Sequence, residues 1–299
     1  LKAGGQNSYR FSLSWCRILP EGRGRVNEEG IAFYNRVIDC CLENGVVPNV
    51  TLFHYDLPQA LAAQGGKAMI PEDEAFAEYA EVCFKAFGDR VKLWVTINEP
   101  KYYAYCSNIV GNYPPNHKLD FDRYFKTLYH EALASAKAVA VYRKLHQDGR
   151  IGIVHDSSNV EVAPQTKDPQ RIRMIADLFY NKLILDCAIK GELPGALLPW
   201  LNENGIDTSY VRFEDALTLA EGKVDFLGLN VYNRFYITDY SEGETEVFHN
   251  NRGAGSAAKE GIRIKNWYET TIDPSTKRNL WGREIYPRCM LNTLREIRE

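Results

Sequence analysis

Five short apolar segments recur along this chain, each set apart by a long stretch of helical periodicity, and that alternation constrains the fold most. Ser8 to Trp15 (SYRFSLSW), Val46 to His54 (VVPNVTLFH), Leu93 to Asn98 (LWVTIN), Ile151 to His155 (IGIVH) and Asp225 to Tyr232 (DFLGLNVY) read as strands. Helices are predicted over Glu28 to Asn44, Glu72 to Phe87, Phe121 to His146, around Ile172 to Lys190 and over Phe213 to Glu221. Mostly apolar strands joined by helices form a parallel sheet covered on its faces, so the fold class is α/β. A doubly wound sheet would carry a Gly-rich turn after its first strand. None of the five strands is followed by G-x-G-x-x-G or G-x-x-x-x-G-K, so a partial (β/α)8 barrel is expected. A length of 299 residues fits one such domain as well as two domains of about 150 residues. We expect a single incomplete barrel over residues 1–299.

One region breaks the rhythm. Arg234 to Arg283 is rich in Gly, Asn, Ser and charge, with short β-like pieces at Phe235 to Thr238, Thr245 to His249 and Ile262 to Asn266. It reads as a long surface excursion, a hairpin plus a mobile loop, and not as a second domain. Both ends of the chain also read as cuts through a fold. Leu1 opens on the last turn of a helix, and LNTLREIRE closes inside an amphipathic one.

Composition narrows the functions. Thirty-six basic against 39 acidic residues give a net charge of −3, which offers no field for nucleic acid or an anionic membrane. No apolar run approaches the ~18 residues of a membrane span. The seven cysteines lack C-x-x-C or metal-ligand spacing and read as reduced, mostly buried thiols, so neither metal nor cofactor is expected. Eighteen tyrosines suit a carbohydrate cleft or a large core.

In an α/β barrel the reactive groups gather where strands end. Here those positions hold Arg10 in the first strand, His54 and Asp56 after the second and Asn98-Glu99-Pro100 after the third. His155-Asp156 follows the fourth, and Asn230 with Tyr232 the fifth. Each has a bland alternative. Glu99 could cap the next helix, His54 could be a satisfied core histidine, and Arg10 could be buried against a structural carboxylate. Asp56 and Asp156 could orient loops, and Tyr232 could pack with its hydroxyl bonded locally. The functional reading rests on their convergence on one face.

The segments SYRFSLSWCRILPEG, VTLFHYDLP, LWVTINEP and DFLGLNVY resemble, in this order and at these spacings, glycoside hydrolase family 1, the β-glucosidase and 6-phospho-β-glycosidase family. That resemblance covers essentially the whole chain and implies strands two to six of a (β/α)8 barrel. It implies Glu99 as general acid/base, and His54, Asn98 and Asn230 as sugar-binding residues. Arg10 and Tyr232 would orient the nucleophilic carboxylate. The family's nucleophile lies in an I-T-E-N-G strand, and no such motif occurs in these 299 residues, so the chain taken literally is expected to be inactive.

A retaining glycosidase places two carboxyls ~5–5.5 Å apart, one attacking the anomeric carbon and the other protonating the leaving oxygen. The segments GETEVFHNNRGAGSAAKEGIRIKNW, IGIVHDSSNVEVAP and WGREIYP resemble the bacterial 6-phospho-β-glycosidase branch. The expected substrate is therefore a β-linked disaccharide or aryl β-glycoside, 6-phosphorylated ahead of plain, and the branch implies a cytoplasmic enzyme. Two other classes remain open: a non-catalytic sugar-binding barrel, against which the intact Glu99, Asn98, Arg10 and Tyr232 speak, and a nucleotide-cofactor α/β enzyme, against which the missing Gly-rich turn speaks.

Overall fold

A computed structural model describes residues 1–65, 73–248, 261–280 and 282–298. Its first half alternates β1 (Ser8–Ser12), α1 (Trp15–Ile18), α2 (Glu28–Glu43), β2 (Val47–Phe53), α3 (Gln59–Gly65), α4 (Asp73–Phe87), β3 (Leu93–Asn98), α5 (Pro100–Tyr105), α6 (Phe121–Lys144) and β4 (Arg150–His155). The remainder holds β5 (Asn159–Val162), α7 (Pro169–Asp177), α8 (Leu183–Leu185), α9 (Leu197–Glu203), α10 (Asp215–Glu221), β6 (Phe226–Leu229), β7 (Arg234–Asp239), β8 (Glu246–Phe248), β9 (Gly261–Arg263), β10 (Tyr268–Thr270) and α11 (Cys289–Arg298). Glu72, at the start of one predicted helix, and residues 249–260 of the predicted excursion lie outside the described residues.

The five strands expected from the sequence form one parallel sheet in the order β1-β2-β3-β4-β6. Buried apolar side chains such as Val50, Leu52, Trp94, Val95, Ile151 and Ile153 fill both of its faces, as helix-covered parallel strands require. Gly152 of β4 is there because β6 runs so close. A Cβ would sit 2.5 Å from the Phe226 carbonyl oxygen and as near its ring. The first strand is shorter than its alternation suggested. Trp15 turns into α1, where its ring stacks on Tyr79 (centroids 5.0 Å apart) and its indole N–H donates to the Gly22 carbonyl at 3.0 Å. Burying that ring outweighs continuing the alternation. The longest helix, α6, begins where the Asp120 side chain accepts from the Arg123 amide at 3.0 Å.

The region predicted as a surface excursion is more ordered than its composition suggested. β7 to β10, with β5, make a second sheet in the order β5-β7-β10-β9-β8, parallel between β5 and β7 and antiparallel elsewhere. Ile237, Ile262, Ile264, Trp267 and Tyr268 are buried in one core with Phe179 and Trp200. Strands of three or four residues give too little period to read, so Tyr268–Thr270 and Asn159–Val162 escaped prediction.

Candidate active site

The polar groups gather where β1, β2, β3 and β6 end. Alternation along β1 puts Arg10 and Ser12 on the same face. The pairing of β3 with β4 shifts register between Val95 and Asn98, a bulge of the kind that re-aims side chains beside functional sites. Immediately after it, Glu99 adopts φ 51°, and Tyr55, just past β2, adopts φ 76°. Left-handed backbone at a non-glycine residue costs about 1–3 kcal/mol, and such positions cluster at active sites. Pro100 at the first helical position then locks the chain into α5.

Glu99 stands at the N-cap of α5, yet its side chain makes no capping bond. It points instead into the cluster, 6% exposed. Its Oε1 accepts from the Asn230 side-chain amide and from the Tyr232 hydroxyl at 3.0 Å. Its Oε2 accepts from the Tyr55 hydroxyl at 2.6 Å.

The neighbouring bonds fix their own directions. Arg10 can only donate, so its bond of 2.9 Å identifies the Asn98 atom facing it as Oδ1. The Asn98 Nδ2 must then donate, to His54 Nε2 at 3.2 Å and to the Tyr55 oxygen at 3.4 Å. His54 is thereby the Nδ1–H tautomer, donating to Ser12 Oγ at 3.1 Å. Burial lowers the His54 pKa, Glu99 opposing and Arg10 reinforcing, which favours this neutral form. Burial first, and then the Glu99 charge, raise both phenols, Tyr232 to about 12, so both remain donors.

A buried ion pair lies beside this cluster. Lys101 Nζ sits 2.5 Å from Asp156 and 3.1 Å from the Ser158 hydroxyl, with both charged side chains under a tenth exposed. Burial pushes the Asp156 carboxyl up to about 6, although Lys101 pulls it down. The fully buried His155 imidazole is pushed down to about 3, by burial and then by the Lys101 charge.

The six residues to which the resemblance gives roles, Arg10, His54, Asn98, Glu99, Asn230 and Tyr232, therefore meet in one hydrogen-bonded group joined through Tyr55. The alternatives weighed for three of them resolve differently. Arg10 is exposed, so water offsets its charge and a neutral amide oxygen suffices as partner; no carboxylate pairs with it among the described residues. His54 is exposed, not a core histidine. Tyr232, 70% exposed, bonds across to Glu99 and not locally. Asp56 takes no part in these bonds. The sequence reading missed Tyr55, Ser12 and Lys101. Tyr55 stood in plain view between His54 and Asp56, but only a left-handed turn brings its hydroxyl to Glu99.

Polar side chains gathered where the strands of a parallel α/β sheet end are the arrangement found at the active face of α/β barrels. The chain is a member of glycosyl hydrolase family 1, whose model matches residues 1–299. It is 34% identical to a 6-phospho-beta-galactosidase of Clostridium acetobutylicum over 98% of this chain and 62% of that protein. It is 40% identical to beta-glucosidase A of Thermotoga maritima over 77% of this chain and 50% of that one. A 6-phospho-beta-glucosidase of Bacillus subtilis is 38% identical over 78% and 50%. Among solved structures, the family 1 β-glucosidase of Thermotoga maritima superposes with a TM-score of 0.83 at 32% identity, covering 99% of this chain and 61% of that one. The five-stranded sheet is thus a partial (β/α)8 barrel, and the chain spans half to under two thirds of the length of these relatives.

Proposed function

We propose that the full-length gene product is a retaining β-glycoside hydrolase with Glu99 as its general acid/base. The observation that carries this reading is a carboxyl at a strand end, on left-handed backbone, held only by neutral donors. As acid, Glu99 gives its proton to the glycosidic oxygen as the aglycone departs. As base, it takes a proton from the water that attacks the glycosyl intermediate. The nucleophile is a second carboxylate not supplied by an I-T-E-N-G motif in these 299 residues, so a polypeptide limited to them is expected to be inactive. Asn98, His54 and Asn230 present donors and acceptors suited to sugar hydroxyls. Arg10 and Tyr232 are assigned to orient that second carboxylate, a reading supported by their exposure and by their bonds to Asn98 and Glu99.

We assign the substrate as a 6-phospho-β-glycoside. Its support is the alignment with the Clostridium 6-phospho-beta-galactosidase over 98% of this chain, together with the segments quoted above. A plain β-glucoside is the second reading, favoured by the 40% identity to beta-glucosidase A. The cytoplasm, where phosphorylated sugars accumulate after uptake, is the corresponding compartment. Turnover of nitrophenyl β-glucoside and β-galactoside, each with and without a 6-phosphate, tests both readings. Absence of turnover on all four removes the hydrolase, and preference for the unphosphorylated compounds removes the phosphate assignment.

A further inference from the structure

We infer that Tyr55 is a positioning residue that reserves Oε2 of Glu99 as a hydrogen-bond acceptor and so leaves Oε1 to carry the proton exchanged with substrate. This deepens the function proposed above and rests on Glu99 being the acid/base.

The number of available hydrogens decides which oxygen is which. A phenol has a single proton. The Asn98 Nδ2 already donates to the Tyr55 oxygen, and Asn98 cannot reverse because its Oδ1 is held by Arg10. The Tyr55 proton therefore points at Oε2, 2.6 Å away. The result is a one-way chain from guanidinium to amide to phenol to carboxyl, each link polarising the next. An oxygen whose donor cannot turn away stays the acceptor, and so is the carbonyl-like oxygen when the carboxyl is protonated. The catalytic proton then resides on Oε1, the oxygen that faces Asn230 and the exposed Tyr232. The partners of Oε1 are not fixed in this way: among the described residues neither the Asn230 side-chain amide nor the Tyr232 hydroxyl has a second hydrogen-bond partner, so either can turn an oxygen toward that proton. In the forward step the Oε1 proton passes to the leaving-group oxygen, which keeps the electron pair of the broken glycosidic bond. In the return step Oε1 takes a proton from water.

Packing holds the Tyr55 ring in this pose. It stacks on Tyr103 (centroids 5.5 Å apart, planes at 14°) and meets the edge of His54 at 4.8 Å, on a backbone turned to φ 76°. A ring needed only for packing would not require its hydroxyl on the one carboxyl of the cluster.

Tyr55→Phe keeps the ring and removes the donor. It is compared with wild type in the full-length gene product, using aryl β-glycosides of graded leaving-group ability and the better of the two sugar forms, after both proteins are shown to melt at similar temperatures. Because the variant acts through proton transfer, kcat/KM falls about tenfold for a poor aglycone and only about twofold for dinitrophenyl. A structural role would lower all aglycones equally. Equal losses, or no loss on any aglycone, overturn the assignment while leaving Glu99 as the acid. A wild-type protein that hydrolyses no β-glycoside overturns it together with the function it rests on. Should Tyr55→Phe melt much lower than wild type, Tyr55→Met, which fills space with an adaptable apolar side chain and brings no hydrogen-bond donor, must show the same unequal losses.

Discussion

Two buried charged groups, one on each sheet, are held in opposite ways. Glu99 on the parallel sheet is held by Tyr55, Asn230 and Tyr232, all neutral donors. Arg234 on the second sheet, its side chain 3% exposed, is held by three carboxylates: Glu161, Asp273 at 2.6 Å and Glu284 at 2.8 Å, with the Tyr286 ring 3.9 Å away. Its partners respond. Bonds from Ser275 and then Arg234 hold Asp273 down to about 2, and Arg234 and Thr276 bring Glu284 below its usual range against burial. A charge matched by opposite charges is fixed, and suits a joint between strands. A carboxyl surrounded by neutral donors can keep its partners whether or not it carries a proton, and suits chemistry.

The comparison is broken most directly at Glu99. In the full-length gene product, Glu99→Gln is expected to lower kcat/KM for poor aglycones by about 10²–10⁴, with far less effect on activated ones. Equal losses on both would mean that Glu99 gives no proton. At the other hub, Arg234→Met leaves three carboxylates without their cation and is expected to cost about 3–5 kcal/mol of stability. Denaturant midpoints would register this, whereas the dependence on leaving group should stay as in wild type; a changed dependence would erase the distinction drawn between the hubs. His54→Ala removes an exposed imidazole from the site and is expected to cost about 2–3 kcal/mol in kcat/KM. Unchanged kinetics would demote it to a support for Ser12 and Asn98.

The most gradual effect is one of pH. The His155 pKa lies near 3 in the folded protein, against about 6.5 unfolded, so the unfolded chain binds the proton first. This contribution to stability is complete above pH 6.5 and is lost as pH falls toward 3, at no more than about 1.4 kcal/mol per pH unit. Asp156, raised to about 6, works in the opposite sense below that pH. Between pH 7 and 4 the stability of His155→Leu relative to wild type should therefore rise as pH falls, and a constant difference would show that the imidazole does not titrate on unfolding.

Legibility followed length and burial. The strands β2, β3 and β4 announced themselves because both faces are apolar, and α6 because its period runs for 24 residues. The second sheet was legible only in part: β7, β8 and β9 overlap the short β-like pieces read in the sequence, whereas β5 and β10 are too short to show a period, and the burial of the sheet comes from partners such as Phe179 and Trp200 on distant segments. At the site, Glu99 was legible as a carboxyl closing an apolar strand. Tyr55 was not, because nothing in FHYDLP says that the backbone turns left-handed there.

The order of the strands, their parallel pairing and the set of polar groups at their ends were written in the sequence, since hydrophobic period and strand-end position are local properties of a chain. Which way each amide faces, which nitrogen of His54 carries its proton and which oxygen of Glu99 the phenol occupies came only with the tertiary fold. Those assignments depend on donors and acceptors brought together from residues as far apart as Arg10 and Tyr232, where each bond leaves its neighbour a single choice.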